Sequence, residues 1–302
     1  MPVRTEVAMG TIVTIHVVRS GRDADAAIDQ AFGWFHEIEE RCSRFNQRSE
    51  LRQVTAQSGV PVEASAILYE AVRFALMVAE ESGGAFDPTV GHRMEARGFN
   101  REYRTGTIAQ NHSTPDDDVS YRDVVLDSDR MTILLLRPLT LDLGAVVKGL
   151  AVDLAARELA PFEDFAIDAG GDLYLGGLND RGSPWSVGVR HPRDENEIIA
   201  SLQVSNQAVC TSGDYERQIQ DSDGRDVLHH ILDPRTSGTS PHTVASATVV
   251  ASGAMLADAL ATAAFVLGPQ AGMQFLDRMG VEGLIVTPEL EQYQTRGLCH
   301  AA

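Results

Sequence analysis

Strand-like segments follow one another along this chain without helices placed regularly between them, and that order restricts the folds open to it. Thr11 to Val18 alternates apolar and polar residues as a half-buried strand does. From Phe165 to about Leu232 a meander is expected, with strands at Phe165 to Ile167, Leu173 to Leu175, Trp185 to Val189, Ile198 to Val204 and Leu228 to Leu232. Gly-rich turns part them. Val244 to Val250 and Gly283 to Val286 read as further strands. A doubly wound parallel sheet needs strand–helix alternation, which is absent here. The order predicts an α+β protein with antiparallel sheets and packed helices.

Helices are expected where apolar residues recur at helical spacing. Ile28, Ala31, Phe32, Phe35 and Ile38 mark one from Asp25 to about Arg41. Ala66 to about Glu81 is a second, closed by Gly83-Gly84. Ala145 to Leu159, Gly253 to Leu267 and Gln270 to Met279 complete the set. Ala85-Phe86-Asp87-Pro88 is a turn signature, and residues 97–120 form a polar excursion. No linker interrupts the 302 residues, whose length allows one large domain or two.

The chain holds 25 Lys+Arg against 43 Asp+Glu, a net charge of -18. Nucleic acid and anionic membranes are bound through basic surface, so neither is expected as the main partner. The N-terminus lacks a secretory pattern, no cysteine sits where a lipid anchor would attach, and no segment is long and apolar enough to span a bilayer. The expected location is the cytoplasm, without membrane insertion, and the Asn111-His112-Ser113 sequon then carries little meaning. Cys42, Cys210 and Cys299 are too few and too scattered for a disulfide framework or a zinc cluster.

Two stretches place polar groups in small, apolar, helix-forming runs, which costs free energy unless those groups have partners. One is Leu141-Asp142-Leu143-Gly144-Ala145-Val146-Val147-Lys148-Gly149; the other is Ala257 to Ala263. Asp258 and Thr262 stand four apart, so a carboxylate and a hydroxyl leave one helix face, a pair suited to a hard cation such as Mg²⁺. Lys148, about one turn into its helix, reads either as an anion contact or as a salt-bridged lysine. Asp168-Ala169-Gly170-Gly171-Asp172 is a tight hairpin or a close approach for a ligand. Thr211 to Arg217 reads as another hairpin turn. In His229-His230-Ile231-Leu232-Asp233-Pro234-Arg235-Thr236 adjacent histidines on a strand face opposite ways, so at most one faces a given pocket; the stretch reads either as a general base for a hydroxyl or as a polar strand end leading into an Asp-Pro turn.

Taken in order, these stretches together with Met9-Gly10-Thr11, Ser43-Arg44-Phe45, Ser49-Glu50-Leu51 and Gly84 to Pro88 resemble the ApbE family, the FAD:protein FMN transferases, from about Thr5 to Val286. The resemblance implies a single domain over 1–302, of related mixed architecture (T-fold-related), with an FAD site in a cleft between two lobes. It also implies Mg²⁺-dependent transfer of FMN from FAD to a threonine hydroxyl of an acceptor flavoprotein carrying a Ser/Thr-containing flavinylation motif, with AMP released. Carried over by position, Met9, Phe45, Ala85, Phe86, Asp87, Asp142, Lys148 and Leu232 are the implied FAD contacts. Ala145 (through its carbonyl), Asp258, Thr262 and a possible carbonyl of Ala261 are the implied metal ligands, and His230 is the implied base, with Lys148 beside the phosphates. Three features depart from the family pattern: no asparagine follows the Ser-Glu-Leu run, Arg97-Gly98-Phe99 replaces Trp-Gly-Phe, and Ser237 lengthens the Asp-Pro-Arg-Thr-Gly turn. An FAD pyrophosphatase and a non-enzymatic FAD-binding protein are the competing readings of such a site.

Overall fold

A computed structural model describes residues 2–19, 21, 23–101, 106, 108, 118–216, 218–220, 227–236 and 243–300. The Asn111 sequon, most of the expected polar excursion, Arg217 and Ser237 lie outside the described residues.

In chain order the first strands are β1 (Val3–Ala8), β2 (Thr11–Val17), β3 (Val62–Glu63), β4 (Val124–Asp127) and β5 (Thr132–Leu135). Then come β6 (Phe165–Ala169), β7 (Asp172–Gly176), β8 (Trp185–Arg190), β9 (Ile198–Val204) and β10 (Gln207–Gly213). The last are β11 (Gln218–Gln220), β12 (Val227–His229), β13 (Ser246–Ala251), β14 (Glu282–Val286) and β15 (Gln292–Gln294). The helices are α1 (Ala24–Cys42), α2 (Glu50–Thr55), α3 (Ala66–Glu81), α4 (Gly91–Ala96), α5 (Gly144–Leu159), α6 (Ala254–Leu267) and α7 (Pro269–Met279). Internal contacts group the chain into two compact units. Unit 1 is Met1–His36, Lys148–Glu216 and Pro241–Ala302; unit 2 is Glu37–Val147 and Arg217–Ser240.

Unit 1 is built on an eight-stranded sheet of order β1-β2-β6-β7-β10-β13-β14-β15, antiparallel throughout. Alternation along β10 sorts its side chains to two faces. Val209 joins Leu175, Val250, Leu284 and Val286 in one core cluster, which the inner face of the separate β8–β9 ribbon (Val187, Val189, Leu202, Val204) closes. Cys210 and Ser212 point the other way, toward α6, where the Cys210 thiol lies 3.6 Å from the Ala254 carbonyl. Burial pushes that thiol well above its ordinary pKa, as befits a core residue rather than a nucleophile. α6 is alanine-rich and buried along most of its length, so it rides close on the sheet.

Unit 2 holds a three-stranded sheet of order β3-β5-β4, the β11–β12 ribbon, and α2, α3 and α4. α3 begins where Ser65 accepts a hydrogen bond from the Leu68 amide. It ends at Gly83 and Gly84, whose φ of 62° and 81° are left-handed, with the Gly84 amide returning to the Ala79 carbonyl.

The antiparallel α+β reading holds, and α3 has the expected bounds. Three expectations are corrected. The segment from Phe165 is not one meander, because β8 and β9 leave the main sheet to cover its apolar face. Thr211 to Gly213 is strand rather than turn: β10 runs on to pair Gly213 with Ser246, and the turn begins at Asp214. The strand expected over Leu228 to Leu232 stops at His229, ahead of the Asp233-Pro234 turn.

Two glycines in helices give opposite predictions for the same substitution. A Cβ on Gly149 would sit 2.5 Å from backbone atoms of Ala254 and Met255, which cannot move cheaply. Gly33 in α1 faces open space. Gly149→Ala should lower unfolding free energy by about 1–3 kcal/mol, and Gly33→Ala should raise it by roughly 0.5–1 kcal/mol, both read by denaturant titration. Equal effects would contradict the close α5–α6 packing.

Candidate active site

In unit 1 the antiparallel registers bring several of the singled-out residues to one end of the sheet. β1 and β2 are joined there by Met9 (φ 50°) and Gly10 (φ 78°), a two-residue turn with both φ positive. Methionine adopts that backbone only at a cost of order 1–3 kcal/mol. β6 and β7 are joined at the same end by Gly170 and Gly171. Gly170 is required, since a Cβ there would overlap the Thr11 hydroxyl. β10 reaches this end with Ser212 and Gly213, because Val209 already pairs with Leu173 near the start of β7.

Lys148 projects from the start of α5 to the same hairpin. Its ammonium is ion-paired with the buried Asp172 carboxylate and lies 3.5 Å from the Ala169 carbonyl. The salt-bridged alternative for Lys148 is therefore realised, and the pair holds its charge in a fixed place. Asp258 is buried on α6, and Thr262, one turn on, is half-buried with its hydroxyl 3.0 Å from Ser212 Oγ. Asp258, Lys148 and Asp153 all lie near enough to act electrostatically on the Cys210 thiol, so they share one neighbourhood.

The position of α6 is set from outside it. Gly253, its N-cap, has no side chain to offer the free N–H groups of the first turn. Asp153 of α5 replaces that cap: its two oxygens accept from the Ala254 amide at 2.6 Å and the Met255 amide at 3.0 Å. Burial raises the Asp153 carboxyl above its ordinary pKa, against the opposing pull of those two amides.

Unit 2 gathers the remaining residues around Arg44. Its guanidinium pairs with Asp142 (Nε to Oδ2, 2.9 Å), donates to the Phe99 carbonyl, lies 4.3 Å from the Phe45 ring centroid and approaches Glu95 at 3.9 Å. Arg52 approaches Glu95 at 4.0 Å from another side, and burial lifts the Glu95 carboxyl above its usual value despite both cations. Asp142 spends its other oxygen on the Gly144 amide at 2.8 Å, starting α5, and its own amide donates to the Pro88 carbonyl at 2.7 Å. The Ala85 to Asp87 block is thereby tied to Asp142. The Asp87 carboxylate is fully engaged by Thr89 and the Tyr121 amide, so this block can offer a ligand its backbone and the Phe86 ring rather than a free charge.

His229 is buried, whereas His230 is half-buried with its ring edge-on to Phe99 at 6.5 Å. The two histidines occupy different surroundings: His229 ends β12, and His230 lies just past it. Leu232 is buried, and Arg93 holds the following turn through the carbonyls of Pro234 (2.8 Å) and Thr236 (3.1 Å). Ala145 interrupts the helical geometry of α5 (φ -91°, ψ 19°). Ala261 lies within the regular part of α6, so only the second lone pair of its carbonyl is open to a further contact.

Among the described residues no group of three or more His, Cys, Asp or Glu side chains is arranged to hold a metal ion. On α6 the pair of one carboxylate (Asp258) and one hydroxyl (Thr262) is all oxygen and carries little charge. It fits Mg²⁺, which keeps several waters and is commonly held by one or two carboxylates together with substrate phosphates.

Arg44, Glu95, Asp153, Asp172 and Ser212 were not singled out by sequence reading. Arg44, Asp172 and Ser212 stand inside quoted motifs; Glu95 and Asp153 carry no local signal, since their partners are distant in sequence. Because Arg44 is itself buried and serves several partners, Arg44→Ala should cost about 3–5 kcal/mol of stability. Arg44→Lys should recover only part of it, since a lysine lacks the guanidinium fork. Urea titration checks both; an unaffected Arg44→Ala would show that the cluster is not structural.

The model of the ApbE family matches residues 9–285. The chain is 30% identical over 316 residues to a protein named FAD:protein FMN transferase from Treponema pallidum (strain Nichols), an alignment covering 98% of this chain and 87% of that protein. It is likewise 30% identical over 248 residues to the protein of the same name from Escherichia coli (strain K12), covering 80% and 70% of the two. Among solved structures, the ApbE protein of Thermotoga maritima aligns at a TM-score of 0.85 and 29% identity, covering 98% of this chain and 97% of that one. With a family match running from the Met9 turn to within β14, this chain belongs to the ApbE family.

Proposed function

We propose that this chain is an FAD:protein FMN transferase that moves the FMN moiety of FAD, with Mg²⁺, onto a threonine hydroxyl of an acceptor protein and releases AMP. The observation that carries this reading is the near full-length likeness to proteins of that name.

The chemistry is one phosphoryl-type displacement. The threonine oxygen forms a bond to the FMN-side phosphorus while the bond from that phosphorus to the bridging oxygen breaks. AMP leaves with the bridging oxygen, and the threonine proton passes to a base. Such a reaction is catalysed mainly by positioning and charge stabilisation. FAD is consumed as a substrate, so no flavin redox step is asked of the protein.

On this reading Asp258 and Thr262, with the carbonyls of Ala145 and Ala261, would hold Mg²⁺. When bound, Mg²⁺ neutralises charge on the pyrophosphate oxygens. Lys148, kept in place by Asp172, contributes a second positive charge to the phosphates. Met9, Phe45, Phe86, Asp142, Leu232 and the backbone of Ala85 to Asp87 contact FAD. His230 accepts the threonine proton; it is half-buried, so a protein hydroxyl can reach it.

Two substitutions test these roles, using FAD, Mg²⁺ and an acceptor bearing an exposed Ser/Thr-containing motif, with in-gel flavin fluorescence as the readout. Asp258→Ala should abolish transfer, with no recovery as Mg²⁺ is raised; wild-type activity in this variant would sink the metal assignment. His230→Ala should lower transfer by roughly 10²–10⁴-fold while FAD binding stays intact. If FAD binding is lost as well, His230 is a structural residue and not the base.

A further inference from the structure

We propose that Ser212 is a positioning residue for the metal site, acting through Thr262; this rests on the reading above, in which Thr262 is a ligand. Ser212 lies on the face of β10 that meets α6, buried to 8% exposure, with its Oγ 3.0 Å from Thr262 Oγ1. Thr211, its neighbour on the other face, pairs instead with Thr248 at 2.9 Å. One hydroxyl of the strand is thus directed at the helix that carries Asp258.

A threonine hydroxyl has one proton and two lone pairs. To give a lone pair to a cation, it must aim its proton away from that cation. Ser212 Oγ stands where it can accept that proton, leaving a Thr262 lone pair directed outward. Cation binding then selects one of the two donor arrangements open to the Ser212–Thr262 pair. Without Ser212 the Thr262 hydroxyl loses this partner, and its lone pair is no longer held in one direction. Partners that orient a metal ligand typically matter by 10–100-fold in metal affinity.

The sequence places a small polar residue on a strand face whose preceding residue, Cys210, makes core contact. A purely structural hydroxyl would satisfy its partner to the same extent with or without a metal. A positioning hydroxyl is distinguished by its coupling to the ligand it orients.

The test measures Mn²⁺ binding to the full chain from the loss of the free-ion EPR signal, without turnover. Ser212→Ala should weaken binding about 10–100-fold, and Ser212→Thr, which keeps the hydroxyl, should bind as the wild type does. In a Thr262→Val background, Ser212→Ala should have no further effect. Wild-type affinity in Ser212→Ala, or the same loss in both backgrounds, would overturn the proposal while leaving the metal assignment standing if Asp258→Ala still loses the ion. Retained binding in Asp258→Ala would overturn the metal assignment itself. Should Ser212→Ala not fold, weakened binding by a folded Ser212→Thr would overturn the proposal.

Discussion

A carboxylate laid across the free N–H groups at the start of a helix fixes the working geometry of unit 1. Asp153 caps α6 from the neighbouring helix because Gly253 cannot cap it from within. One turn earlier on α5, Gly149 lets that helix pack against the backbone at the same helix start, and Lys148 reaches the β6–β7 hairpin through Asp172. These contacts set how far α6 is rotated about its axis. Each residue of an α-helix advances about 100° around that axis, so even a small error there would turn Asp258 and Thr262 away from their common face. Burial of the Asp153 carboxyl is the cost of this arrangement, offset by two amide donors.

Unit 2 solves a similar problem with an arginine. The guanidinium of Arg44 offers a planar fork of donors, and it is spent on Asp142, the Phe99 carbonyl and the neighbourhood of Glu95. Through these it ties together segments far apart in sequence: the start of α5, the residues after α4 and the Phe45 loop. His230 packs on Phe99, so its surroundings depend on the same anchor. The departure at Arg97-Gly98-Phe99 falls on this anchor, and its aromatic residue is retained.

Much of this was legible in the sequence because it rests on local rules. The end of α3 could be read from the Gly83-Gly84 pair, since left-handed glycines act within a few residues. The antiparallel class followed from strands in runs, and the Asp258–Thr262 face followed from helical spacing alone. What was missed depends on partners far along the chain. The end of β10 looked like a turn because its small polar residues are chosen for α6 and β13 rather than for a local bend. β8 and β9 read as members of one meander because alternation does not say which sheet a strand joins. Asp153 reads as an ordinary helix-surface acid until the helix it caps, about a hundred residues later, is folded against it.

The central claim is that the FMN half of FAD leaves covalently attached to protein. Its most direct test is to count both products of one reaction: AMP by chromatography, and flavin bound to the acceptor by intact mass under denaturing conditions. The account predicts one bound flavin for each AMP released, with both products absent when Mg²⁺ is chelated. AMP accompanied by free FMN and an unmodified acceptor, or FAD that is bound but never cleaved, would contradict it.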